Sequence, residues 1–296
     1  MAVDRSADKL PLPDKPRASI RSANDKGMFM AKVSISRAWD ESRAVLARDG
    51  KLIASVALAL LVLPGVAVNV LLPGASGLGT PQAVLWTVIV LFALLVTFVG
   101  QLSVVRLATG PHITVGDAIR HAAARVLPFV GAFLLWVVPV VLLASFPYWM
   151  VHSNPARPPL AASLALLVIG FAGIFLAVRL VLVGAVASAE PGGPPRILKR
   201  SWELTAGNWW RLFGFLLVFA IGAIVSIWAV TAVVGLVARL TIGEISRGSV
   251  AGLLVILIAQ CVTAAVYAVL FVMQARIYAQ LAGRDEFQAG VPSSGT

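Results

Sequence analysis

The sequence predicts an all-α integral membrane protein, with six transmembrane helices and three cytoplasmic amphipathic helices lying at the interface. Three observations predict it. First, 59% of the 296 residues are hydrophobic and 12% are charged, and the mean hydropathy is +0.91. A soluble domain covers its surface with roughly twice that share of charge, about 25%. Second, six apolar runs, at roughly 52–72, 83–106, 126–149, 159–187, 209–237 and 249–273, each reach the ~18 residues that mark a spanning helix. Third, the 24 basic side chains are unevenly placed. With the N-terminus in the cytoplasm, the outside keeps only Arg157, Arg239 and Arg247. This positive-inside bias predicts a multi-pass protein of the bacterial inner (cytoplasmic) membrane with both termini cytoplasmic.

In chain order, residues 1–30 are charged, Pro-bearing and poor in aromatics, which predicts a disordered cytoplasmic tail. They contain no apolar h-region, so no cleavable signal peptide is expected and the first span serves as the insertion signal. A six-span domain is expected over 31–285, and residues 286–296 form a flexible tail. The fourth and fifth spans are long enough to tilt or to extend past the hydrocarbon. The loops at 71–82, 146–159 and 238–249 are short, and Glu244 is their one acid.

The stretch PGGPPRILKRSWELTAGNWWRLFG (191–214) is the most polar interruption. A helix over 195–206 starts at Pro194-Pro195. It places Ile197, Leu198, Ser201, Trp202, Leu204 and Thr205 on one face and Lys199, Arg200 and Glu203 on the other. Gly207 predicts its stop and Asn208 the cap of the next helix. Trp209, Trp210 and Arg211 then open the fifth span at headgroup level. The design recurs. In PHITVGDAIRHAAARVLPF (111–129), Thr114 and Asp117 have capping-box spacing. Val115, Ile119, Ala122 and Val126 form an apolar face there, and Asp117, Arg120 and His121 a polar one. In SISRAWDESRAVLARDGK (34–51), Ile35, Trp39, Ser42 and Leu46 oppose Arg37, Asp40, Glu41 and Arg48. Ala38-Trp39, Ala118-Ile119 and Ile197-Leu198 recur at spacings of 80 and 79 residues. The pattern predicts three units, about 33–110, 111–190 and 191–285, around a pseudo-threefold axis along the membrane normal. The alternative is that a cytoplasmic loop before any span tends to look amphipathic.

The string AEPGGPPRILKRSWELTAGNWWRLFGFLL resembles a motif of the glycerophosphoryl diester phosphodiesterase membrane-domain family and of related uncharacterised six-span bacterial inner-membrane proteins. The matching residues are Glu190, Leu198, Arg200, Ser201, Trp202, Leu204, Thr205, Gly207, Trp210, Arg211 and Gly214. The resemblance follows the layout of 50–285 and is specific over 190–214. It implies the fold of the membrane region. In some members that region precedes a phosphodiesterase domain; here only a short tail follows, so the activity is not carried over.

Little in the chain points to chemistry. The three histidines are His112, His121 and His152, and Cys261 is the one cysteine, so neither a disulfide framework nor a thiolate metal cluster is expected. H-E-x-x-H, G-x-S-x-G and P-loop motifs do not occur. No cofactor, no metal and no enzymatic activity are expected. Polar candidates within the spans are Gln101, Gln260 and Thr263, for which interhelical hydrogen bonding is the simpler reading. Arg106, Arg179 and Arg276 end the even-numbered spans and, with Lys199, Arg200 and Arg211, are the candidates for a lipid headgroup or phosphate-bearing ligand. Ordinary snorkelling is the alternative for the span-end arginines. A partly buried Arg179 needs a partner, and Glu190 or Glu203 is expected to supply it. Trp39, Trp202, Trp209 and Trp210 are the interfacial anchors. Gly248 and Gly252 form a G-x-x-x-G pair. The expected partners are membrane lipids with anionic headgroups on the cytoplasmic side, and a membrane protein or a second copy of the chain; nucleic acid is not expected. The sequence implies a non-enzymatic inner-membrane protein whose basic collar binds anionic lipid, with a role in envelope or lipid homeostasis. The alternative is a transporter or permease for an amphiphilic or phosphate-bearing small molecule.

Overall fold

The computed structural model describes residues 33–71, 81–110, 113–242 and 249–283. The two expected tails, most of the 71–82 and 238–249 loops, and His112, Glu244, Arg247 and Gly248 lie outside them. Among the described residues every regular element is a helix.

Helix α1 (Ile35–Ala57) starts at Ser34, whose hydroxyl accepts the Arg37 N–H at 3.4 Å. A five-residue π turn, Leu58–Val62, joins it to α2 (Leu63–Leu71). The wide turn precedes Pro64, which has no N–H to offer the preceding turn. Next come α3 (Pro81–Thr109) and α4 (Val115–Ser153), the second with Pro128, Pro139 and Pro147 inside it. Thr114 caps α4 by accepting the Asp117 N–H at 3.2 Å, and its hydroxyl donates to Asp117 Oδ2 at 2.7 Å. Helix α5 (Leu160–Arg179) is followed by the short α6 (Val183–Ala189) and by α7 (Pro194–Thr205). Last are α8 (Trp209–Ile242) and α9 (Val250–Leu281).

Six helical stretches are long and apolar enough to cross a membrane: Ile35–Leu71, Ala83–Thr109, Val115–Ser153, Leu160–Ala189, Trp209–Thr241 and Val250–Leu281. This is the architecture of a multi-pass integral membrane protein. Two of the expected amphipathic helices differ from expectation. Residues 35–51 and 115–126 continue unbroken into the spans that follow them. Only α7 stands alone, because Gly207 takes φ +76° behind it, a conformation that a side chain disfavours.

On α1 and α4 the buried faces are also rotated from the expected ones, and residue size is the reason. On α1 the buried stripe is Ala38, Ser42 and Val45, while Trp39 points outward at 47% exposure. On α4 it is Ala118 and Ala122, continuing to Phe129 and Ala132. Small residues let helix backbones approach, so they and not the largest apolar side chains turn inward. On α7 the buried residues are Ile197, Ser201, Leu204 and Thr205, and Trp202 is 40% exposed.

The core sits at one end of the bundle. Tyr278, Met273 and Ile277 of α9, Leu102, Val104 and Val105 of α3, Ile197 of α7 and Leu212 of α8 are fully buried there. Helix α6 is buried from Val183 to Ser188. Toward the other end, large apolar side chains such as Phe92, Leu142, Phe171 and Trp228 are exposed, a surface suited to hydrocarbon.

Candidate functional site

The ends of α1, α3, α4, α5, α7, α8 and α9 that meet at the core carry nearly all the described charge.

Arg179 is the last residue of α5. Its Nε and Nη1 are buried and have no hydrogen-bond partner. The guanidinium carbon lies 4.8 Å from the Trp202 ring centre and 5.5 Å from that of Phe175. Two aromatic faces therefore supply the counter-charge, an arrangement the planar and weakly hydrated guanidinium suits. The expected partners are otherwise engaged. Glu190 accepts Arg200 Nε at 3.2 Å and the Tyr278 hydroxyl at 2.8 Å, and Glu203 lies 3.8 Å from Arg200. The Arg179 carbonyl accepts the Ser201 and Thr205 hydroxyls at 3.1 and 3.0 Å, which docks α7 onto the end of α5. Trp209 Nε1 donates to the Phe175 carbonyl at 3.4 Å and stacks on Phe213, so the aromatic cluster continues into α8.

A second hub is Glu41. It accepts Arg37 Nε at 2.7 Å and Arg276 Nε at 2.9 Å, joining α1 to α9. Glu41 was expected on the outer face of α1; Arg276 draws it inward. Asn208 Oδ1 accepts the Val33 N–H at 3.2 Å, Gln280 Oε1 accepts the Ser34 N–H at 3.3 Å, and Arg211 Nη1 donates to the Val33 carbonyl at 3.4 Å. The start of α1 is thereby tied to α8 and α9. His121, also expected outward, donates from Nε2 to the Ser188 carbonyl at 2.7 Å. Sequence reading missed the ties between elements because they join residues more than 60 positions apart.

The six headgroup candidates therefore divide. Arg179, Arg200 and Arg276 are engaged inside the protein. Arg106 is half-buried near the end of α3, Lys199 is exposed, and Arg211 is exposed while its Nη1 holds the Val33 carbonyl. Arg196, Arg120 and Arg43 add exposed cations to the same end. Of the four tryptophans expected as interfacial anchors, Trp39, Trp202 and Trp210 are exposed and Trp209 is half-buried.

The polar candidates within the spans are packed against glycine or bonded to their own helix. Gln260 rests on Gly65, where an added Cβ would collide with its Oε1. Gln101 rests on Gly184, with Nε2 2.8 Å from where a Cβ would stand. Thr263 donates to the Ala259 carbonyl of its own helix at 2.8 Å. Gly252 is buried and receives the Ser249 cap through its N–H.

Two cavities adjoin the charged end. One of about 420 Å³ is lined by Glu41, Arg48 and Arg276 with Ala108, Thr109 and Gly110 of the α3 terminus. The other, about 860 Å³, is almost wholly apolar and lies between α1, α8 and α9. Among the described residues no three of His, Cys, Asp and Glu are grouped to hold a metal ion. Comparison with protein-family models, curated proteins and solved structures gives no match.

Proposed function

We propose that the chain is a non-enzymatic protein of the bacterial inner membrane whose charged end faces the cytoplasm and binds anionic lipid headgroups, with a role in envelope or lipid homeostasis. The observation that carries this reading is the pairing of exposed cations with exposed tryptophans at one end. Lys199, Arg211, Arg196 and Arg43 stand beside Trp202, Trp210 and Trp39. Indole rings settle at headgroup level, and each nearby basic side chain contributes about 1 kcal/mol of attraction to an anionic surface. In this reading α7 lies along the headgroups, and the amphipathic halves of α1 and α4 are its counterparts in a threefold repeat. The resemblance of 190–214 to the phosphodiesterase membrane-domain family fits such a lipid-facing role. Gln260 and Gln101, each packed on a glycine, fit helix packing better than a transport path.

The test is native mass spectrometry of the protein released from nanodiscs of mixed phosphatidylglycerol and phosphatidylcholine. The wild-type protein is expected to retain phosphatidylglycerol in excess. Lys199→Gln with Arg211→Gln is expected to lower that excess about tenfold or more, given about 1 kcal/mol per side chain. An unchanged excess would sink the reading. Arg200 is left intact because Glu190 engages it, and unchanged thermal unfolding of the double variant is the control for losing the Arg211–Val33 hydrogen bond.

A further inference from the structure

The apolar cavity is a groove, walled on one side by the first turn of α1 with Trp39, floored by α8 and closed by Ala265 and Met273 of α9. We infer that it seats one acyl chain of an anionic glycerophospholipid whose phosphate is held at Arg211; this rests on the headgroup reading above.

Four observations support that occupant. Its volume of about 860 Å³ falls within the ~300–1,000 Å³ of ligand sites. Its α8 floor runs from Gly214 to Ser226, a rise of about 18 Å. One leaflet of hydrocarbon is about 15 Å deep, so the groove spans the leaflet nearest the charged end. The lining offers almost no hydrogen-bonding groups. An extended peptide would leave its backbone N–H and C=O groups unsatisfied there, whereas a hydrocarbon chain brings none. Finally, the mouth is basic. Arg211 lies one turn before Gly214 and Phe215 on the same face of α8, and its Nη1 sits 3.4 Å from the Val33 carbonyl at the start of α1. Arg43 is exposed one turn beyond Trp39. Asp40 is exposed on the turn between them, which leaves the mouth with a net positive charge. The space is real at the backbone level too: a Cβ added at Gly214 or Gly222 meets nothing within 4 Å.

The experiment uses the full chain in nanodiscs containing phosphatidylglycerol with a photoreactive diazirine in one acyl chain, and maps crosslinked peptides by mass spectrometry. Labelling is expected to concentrate on 214–226 and 265–273. Gly222→Leu, which fills the groove without a clash, is expected to cut it roughly tenfold, the factor for about 1.4 kcal/mol of lost contact. The headgroup excess measured by native mass spectrometry is expected to survive in that variant. Even labelling over other exposed faces such as 134–146 and 164–175, with the headgroup excess intact, overturns the groove and leaves the headgroup reading standing. Groove labelling that is equal with a phosphatidylcholine probe, whose phosphate is the same but whose headgroup is net neutral, overturns an anionic lipid as the groove's occupant. Labelling that emerges only after removal of residues 1–30 shows that the chain's own N-terminal segment fills the groove, and overturns the lipid as occupant.

Discussion

Arg179 is a cation held without an ion pair among the described residues. Its Nε and Nη1 are shut away from solvent, and the rings of Phe175 and Trp202 cover it. Trp202→Ala opens that cover and leaves a desolvated charge, so it is expected to destabilise the protein by about 1–2 kcal/mol. Lys199→Ala, at an exposed position on the same helix, is expected to change stability by less than about 0.5 kcal/mol. Thermal unfolding in detergent checks the order, and equal effects would show that the rings do not stabilise Arg179. Half of this arrangement was legible in the sequence. Phe175 and Arg179 stand four residues apart on one helix, where side chains meet. Trp202 comes from another element, and sequence reading assigned it to the buried face of α7. The sequence pointed to a carboxylate beside Arg179, but Glu190 is claimed by Tyr278 and Arg200 across long stretches of chain.

At the scale of elements, glycines set the seams. Gly65 of α2 makes room for Gln260 of α9, and Gly100 of α3 makes room for the π turn, where a Cβ would stand 2.9 Å from Leu60 Cβ and 3.3 Å from its carbonyl oxygen. Gly65→Ala is expected to destabilise by about 1–3 kcal/mol through overpacking. In the background Gln260→Ala it is expected to cost little, a non-additivity that a double-mutant cycle in detergent measures. Additive effects would show that the two residues do not share the seam. The six long helices were legible because apolar runs of that length admit few other structures. The stop at Gly207 and the Thr114 cap were legible from local residue chemistry. The inward faces of α1 and α4 were not, since periodicity finds the apolar stripe while close approach selects Ala38, Ser42, Ala118 and Ala122. The uninterrupted run of α1 and α4 into their spans was not foreseen either, although neither segment carries a stop like Gly207 before its span.

Across the six spans, burial concentrates at the charged end, and large apolar side chains are exposed toward the other. Lys199 and Arg157 are both exposed, one on α7 at the charged end and the other in the turn between α4 and α5. With Cys261→Ser as background, a membrane-impermeant maleimide added to intact cells is expected to label Arg157→Cys and spare Lys199→Cys, with both labelled after lysis. The reverse pattern would put the charged end outside and overturn the cytoplasmic lipid reading. The π turn at Leu58–Val62 changes which way the helix faces on its two sides. In an unbroken α-helix, at about 100° per residue, Gly65 would stand about 180° from both Ala38 and Val56. Yet Ala38 and Val56 are buried, and Gly65 lies against Gln260. The wide turn is a phase shifter. One spare residue re-clocks the apolar half of the helix against its charged half, so that a single rod keys into two differently oriented seams.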